Sequence, residues 1–109
     1  MNLTPEDLLA GSNVTFEVIV PLDVLKPVKD PNPTTKEVVV ELRPMTIGTF
    51  GLIMKAAKND PGLIPSLMIK ESLVKPAMSL DQVKQMHIGL VNFLIAQIRQ
   101  ISGLTPKKN

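Results

Sequence analysis

Val14-Thr15-Phe16-Glu17-Val18-Ile19-Val20 alternates as a half-buried strand does. Val14, Phe16, Val18 and Val20 point one way; Thr15, Glu17 and Ile19 point the other. Residues 37–43 repeat the device, with Val38, Val40 and Leu42 on one face and Glu37, Val39, Glu41 and Arg43 opposite. Two strands of matching length and polarity predict an antiparallel pair. The connection, residues 21–36, holds Pro21, Pro27, Pro31 and Pro33, a density that argues against regular pairing there. A two-stranded ribbon alone is marginal, so its apolar face needs helices or a neighbouring chain beside it.

Outward from the ribbon, helical signals dominate. Residues 4–10 read as a short helix, with Thr4 as cap, Pro5 at the first position and Glu6 and Asp7 at the positive end of the dipole. Leu3, Leu8 and Leu9 give it one apolar side, and at this length it must dock or fray. Arg43-Pro44 ends the second strand, and Thr46 caps a helix expected to run to about Asn59, weakened by Gly48 and Gly51. Asn59-Asp60-Pro61-Gly62 is a stop and turn. A further helix is expected from about Leu63 to Val74, broken by Lys75-Pro76. Ser79-Leu80-Asp81-Gln82 forms a capping box, and Gly103 stands where a left-handed terminal residue belongs. The pattern predicts one helix of about 24 residues between them, roughly 36 Å long. Leu80, Val83, His87, Leu90, Leu94, Ile98 and Ile101 form its stripe, widened by Ile88, Val91, Phe93 and Ile95. A stripe that broad must be covered by the preceding helices, by a second copy or by a partner. The expected architecture is α+β: a single, mainly helical domain over residues 1–109, with a two-stranded antiparallel β ribbon near the N-terminus and a polar tail at 105–109.

Composition narrows the chemistry. The 109 residues include no Cys, Trp or Tyr and one His. Disulfides, thiolate catalysis and Cys-ligated metals are thereby excluded, and His-paired metal sites with them. At 44% apolar and 20% charged residues the chain is too apolar for wholesale disorder. Its length can bury roughly 65% of the unfolded surface, enough for one modest core. Net charge is +2, but residues 1–43 sum to −3 and residues 44–109 to +5. A nucleic-acid interface wants clustered Lys and Arg with stacking aromatics; here there are two Arg, Arg43 and Arg99, and three aromatics, all Phe. Pro5, Glu6 and Asp7 stand where a signal peptide needs bases and then an apolar run. The apolar stretch from His87 to Ile98 is interrupted by Asn92 and Gln97 and falls short of the about 20 residues that span a bilayer. A cytosolic protein without membrane contact is expected.

No enzyme motif stands out. Gly48-Thr49-Phe50-Gly51 lacks the Lys-Ser/Thr ending of a phosphate loop, and no serine has a nucleophile's flanking motif. No cofactor or metal site is expected. His87 reads by default as a structural histidine on the apolar register. Met45, Met54, Met68, Met78 and Met86 fall in or beside the helical part. They serve either as core filler or, if exposed, as an adaptable surface for an apolar segment.

Three stretches carry a resemblance: Val40-Glu41-Leu42-Arg43-Pro44-Met45-Thr46-Ile47-Gly48, a strand entering a helix; Leu73-Val74-Lys75-Pro76-Ala77-Met78-Ser79-Leu80-Asp81-Gln82-Val83; and Ile98-Arg99-Gln100-Ile101-Ser102-Gly103-Leu104. Over roughly residues 37–104 this order resembles the small tail assembly chaperones of tailed bacteriophages and prophages. The resemblance implies a small β element followed by helices and a non-enzymatic role in the bacterial host cytoplasm. Such chaperones hold the long, helix-rich tape measure protein in solution and help bring tail tube subunits to it. The contact residues expected from the apolar stripe are Leu90, Val91, Leu94, Ile95 and Ile98, then Met54 and Met68. Two rival expectations are a permanent component of a phage tail or related contractile particle, and a small nucleic-acid-binding regulator. A homo-oligomer remains open.

Overall fold

The structure, a computed structural model, describes residues 3–26 and 38–104. Most of the proline-rich connection and the whole 105–109 tail lie outside the described residues. Within them the chain mixes helix and strand, as expected, but the sheet has three strands in the order β1-β2-β3. β1 (Phe16–Val20) and β2 (Val38–Leu42) pair antiparallel in unbroken register from Phe16↔Leu42 to Val20↔Val38. The even-numbered residues turn inward as the alternation requires. Val20 and Leu42 are buried, and Val18 and Val40 pack on the core.

The third strand corrects the expected two-stranded ribbon. β3 (Leu73–Lys75) comes from the end of the stretch assigned above to a helix. It pairs antiparallel with β2 through Leu42↔Leu73 and Glu41↔Lys75, with a bulge between. β2 buries one face and would otherwise leave a full edge of backbone donors and acceptors unpaired. The Arg43 amide donates to the Ser72 carbonyl at 2.9 Å, and Arg43 Nε donates to the Glu71 carbonyl at 2.9 Å. Those two bonds end the helix at Ser72 and turn Leu73 into the sheet, where it is buried.

On the outer face Glu17 lies directly across from Glu41, and Ile19 across from Val39. Lys75 approaches Glu41 at 4.0 Å. Like charges directly opposite disfavour pairing slightly, and an exposed lysine offsets little of that. The β1–β2 pairing therefore rests on its backbone bonds and its inner face.

The helices lie as follows. α1 (Pro5–Leu9) has the expected Thr4 cap, closed into a full capping box by Asp7, and runs through Gly11 as a 3-10 turn to Asn13. α2 (Leu22–Leu25) is a single turn inside the proline-rich connection. α3 (Ile47–Ala56) is capped by Thr46. α4 (Ile64–Ser72) is the central helix and buries Met68, Ile69 and Ser72. Ile53 of α3 and Leu94 and Ile98 of the last helix join the same cluster.

The long C-terminal helix is also corrected. It is two helices, α5 (Leu80–Val83) and α6 (Ile88–Ile101). The Ser79–Gln82 capping box starts α5 as expected. His87 is not mid-stripe: it is the N-cap of α6, with Nδ1 accepting from the Leu90 amide at 3.2 Å. A Cβ at position 89 would sit 3.2 Å from the His87 ring, so Gly89 is what lets the ring fold back over the first turn. Fourteen residues make α6 roughly 21 Å long. Its end matches expectation. Gly103 has φ 73°, the Leu104 amide donates to the Arg99 carbonyl at 2.8 Å, and Gly103 donates to Gln100 at 3.2 Å. This is a left-handed terminator with both closing bonds made.

Candidate functional site: an uncharged groove

Burial sorts the expected contact residues. Leu94 is 2% exposed, Ile98 0% and Met68 8%. All three are sealed in the core, so they are corrected from partner contacts to packing residues. The reason is the packing of α6 against α4, which closes Leu94, Ile98 and Met68 into one buried cluster. Leu90, Val91 and Ile95 are half-buried and pack against the same cluster. Met54 is exposed on α3.

The apolar surface left open lies elsewhere. Between α1 with its 3-10 extension, the start of β1, the Pro44–Ile47 link and the end of α6 runs a groove of about 430 Å³. Leu8, Leu9, Val14 and Phe16 form one wall, and Met45, Ile47 and Ile101 face them. It continues into a second hollow of about 220 Å³, which shares Met45, Thr46, Ile47 and Ser102 and adds Phe50 and Leu104. None of the lining residues is Asp, Glu, Lys, Arg or His. Ile47 is 92% exposed, Leu8 76% and Leu9 60%. Isolated exposed apolar residues are ordinary; a contiguous set lining one depression marks an interaction surface.

Local chemistry holds the groove open. The Met45 amide donates to Ser102 Oγ at 2.9 Å, joining the strand exit to the end of α6 across 57 residues of sequence. Thr46 Oγ1 accepts from the Thr49 amide at 3.1 Å, which starts α3 and leaves Ile47 at its first position facing out. The Gly103 terminator brings Leu104 back to the rim. On the opposite wall Asp7 accepts from the Thr4 amide at 2.9 Å and from the Thr4 hydroxyl at 3.0 Å. Those two bonds hold the Asp7 carboxyl below its ordinary pKa. Every described residue from 3 to 11 is exposed, so this capping box is the main local restraint on the wall.

None of the seven expected contact residues lines the groove. The sequence did carry a signal for it. α3 holds Ile47, Phe50, Leu52, Ile53 and Met54 spread around its circumference, more apolar positions than one buried face can use. Only Ile53 among them is buried.

His87 performs a separate task. Nδ1 is used as the cap acceptor, so the neutral ring carries its proton on Nε2, which donates to the Leu25 carbonyl at 3.2 Å. One side chain thus starts α6 and ties α2 to it. Among the described residues, no three His, Asp or Glu side chains converge on a point that could hold a metal ion, and no helix is long and apolar enough to cross a membrane. Comparisons with family models, curated proteins and solved structures found no match.

Proposed function

We propose that this chain is a tail assembly chaperone of a tailed phage or prophage, which holds an apolar helical segment of the tape measure protein in the groove between α1, α3 and α6. The observation that carries the reading is the groove itself: a continuous, uncharged depression rimmed by Leu8, Leu9, Ile47, Phe50 and Leu104. An amphipathic helix presents an apolar stripe of the kind such a depression covers, recognised by burial of side chains. Parts of two of the three stretches that carry the family resemblance line this surface. Pro44, Met45, Thr46 and Ile47 form its floor, and Ile101, Ser102 and Leu104 form its far rim.

The mechanism needs no bond-making. Holding a client in solution requires covering its apolar face for a time and then releasing it to tube subunits. Exposed leucines on a five-residue helix suit release, because a wall that short orders and loosens cheaply. Several copies along a long client sum their modest affinities. Co-expression with the tape measure protein tests the reading. The client should become soluble and co-purify with this chain, while finished tails should lack it. A client that stays insoluble, or a stoichiometric amount of this chain in purified tails, contradicts it.

A further inference from the structure

We propose that two copies of this chain join through β1, antiparallel about a two-fold axis at Val18, into one six-stranded sheet. The sheet has two edges, and they differ. β3 is three residues long, ends on the exposed Lys75 and runs into Pro76, the usual guards against edge pairing. β1 has five residues, Phe16–Val20, in unbroken register with β2, with no Lys, no Pro and no bulge. Among the described residues no strand pairs with its outer edge. Phe16 and Ile19 on this strand are 40% and 56% exposed.

The sequence of the strand is self-complementary in one register with a second copy. Residues directly opposite in an antiparallel pair point to the same face. Keeping both helical layers on one side of the joint sheet therefore pairs even with even and odd with odd. An axis at Glu17 would set Glu17 against the partner's Glu17, a like-charge pair. An axis at Ile19 would set Glu17 against the partner's Pro21, which has no amide to donate. The axis at Val18 alone pairs all five residues: Phe16 with the partner's Val20, Glu17 with the partner's Ile19, and Val18 with itself. Inner faces then continue apolar, and Ile19 beside Val39 is covered by the stem of a glutamate.

Position 19 gives the test, because it faces outward and is remote from the core. Ile19→Glu places a carboxylate opposite the partner's Glu17 twice per dimer, whereas Ile19→Lys places an ammonium there. Sedimentation equilibrium of the full chain is measured for the three proteins, with circular dichroism to compare their folds. The wild type is expected to be dimeric. Ile19→Glu is expected to dimerise about tenfold more weakly, and Ile19→Lys at least as tightly as the wild type. A wild type that is monomeric at millimolar concentration overturns the proposal. Equal behaviour of the two variants, in either direction, overturns it as well.

Discussion

Replacing Ile47 by Asp separates the groove from the core. Ile47 is the first residue of α3 and is 92% exposed, so the fold loses almost no burial with it. An acid in the first turn of a helix is favourable by about 0.3–1 kcal/mol. Thermal stability should therefore hold or rise slightly. Client binding should not hold. An isoleucine buried on binding contributes about 1.5–3 kcal/mol, and a carboxylate facing an apolar helix adds a desolvation cost. Affinity for a helical tape measure peptide should fall at least about 10- to 100-fold. Fluorescence anisotropy of the labelled peptide reads the affinity, and thermal unfolding reads the stability. Leu94→Ala is the converse control. At 2% exposure Leu94 belongs to the core, and its truncation should cost about 2–5 kcal/mol of stability, a large share of what a small domain has. Ile47→Asp binding its client as the wild type does, with Tm unchanged, would refute the placement of the groove.

Three further outcomes follow from named contacts. Ser102→Ala leaves the half-buried Met45 amide without its acceptor and should cost about 1–3 kcal/mol in denaturant unfolding. His87→Ala should cost about 1 kcal/mol through the lost cap and also free α2; His87→Asn should recover the cap alone, so that hydrogen exchange at residues 22–25 stays fast in both variants. In the neutral ring, nitrogen NMR should report the tautomer with its proton on Nε2. Asp7 is held below the ordinary carboxylate pKa by its bonds to Thr4, so its contribution to α1 is present above that ordinary value and lost as pH falls through the lowered one. Amide protection in residues 6–9, taken relative to intrinsic exchange at each pH, should fall in that acid window, and Asp7→Asn should remove that fall.

Local rules were legible where one residue type dictates one geometry. Thr4, Thr46 and Ser79 cap the helices they precede, Gly103 terminates α6, and the parity of β1 and β2 sets which residues are buried. The misses came from tertiary competition. Leu73 and Val74 continue a helical pattern by spacing, yet the open edge of β2 claims them. His87 fits the apolar register by spacing, yet its ring satisfies the Leu90 amide and restarts the helix, with Gly89 making room. Three of the expected contact residues, Leu94, Ile98 and Met68, were misplaced for a related reason. A broad stripe on α6 says that much is covered, and whether α4 or a partner covers it depends on how the helices cross. Leu94 and Ile98 are consumed by α4, while apolar residues of α1 and α3 such as Leu8, Leu9 and Ile47 stay open.

A titration of the methyl-labelled protein with a soluble helical fragment of the tape measure protein, followed by NMR, tests the holding role most directly. The methyl signals of Leu8, Leu9, Met45, Ile47, Ile101 and Leu104 should move together and saturate at one concentration, while those of Leu94, Ile98 and Met68 stay in place. No saturable shift, or shifts gathered on Leu90, Val91 and Ile95 with the groove unmoved, would contradict it.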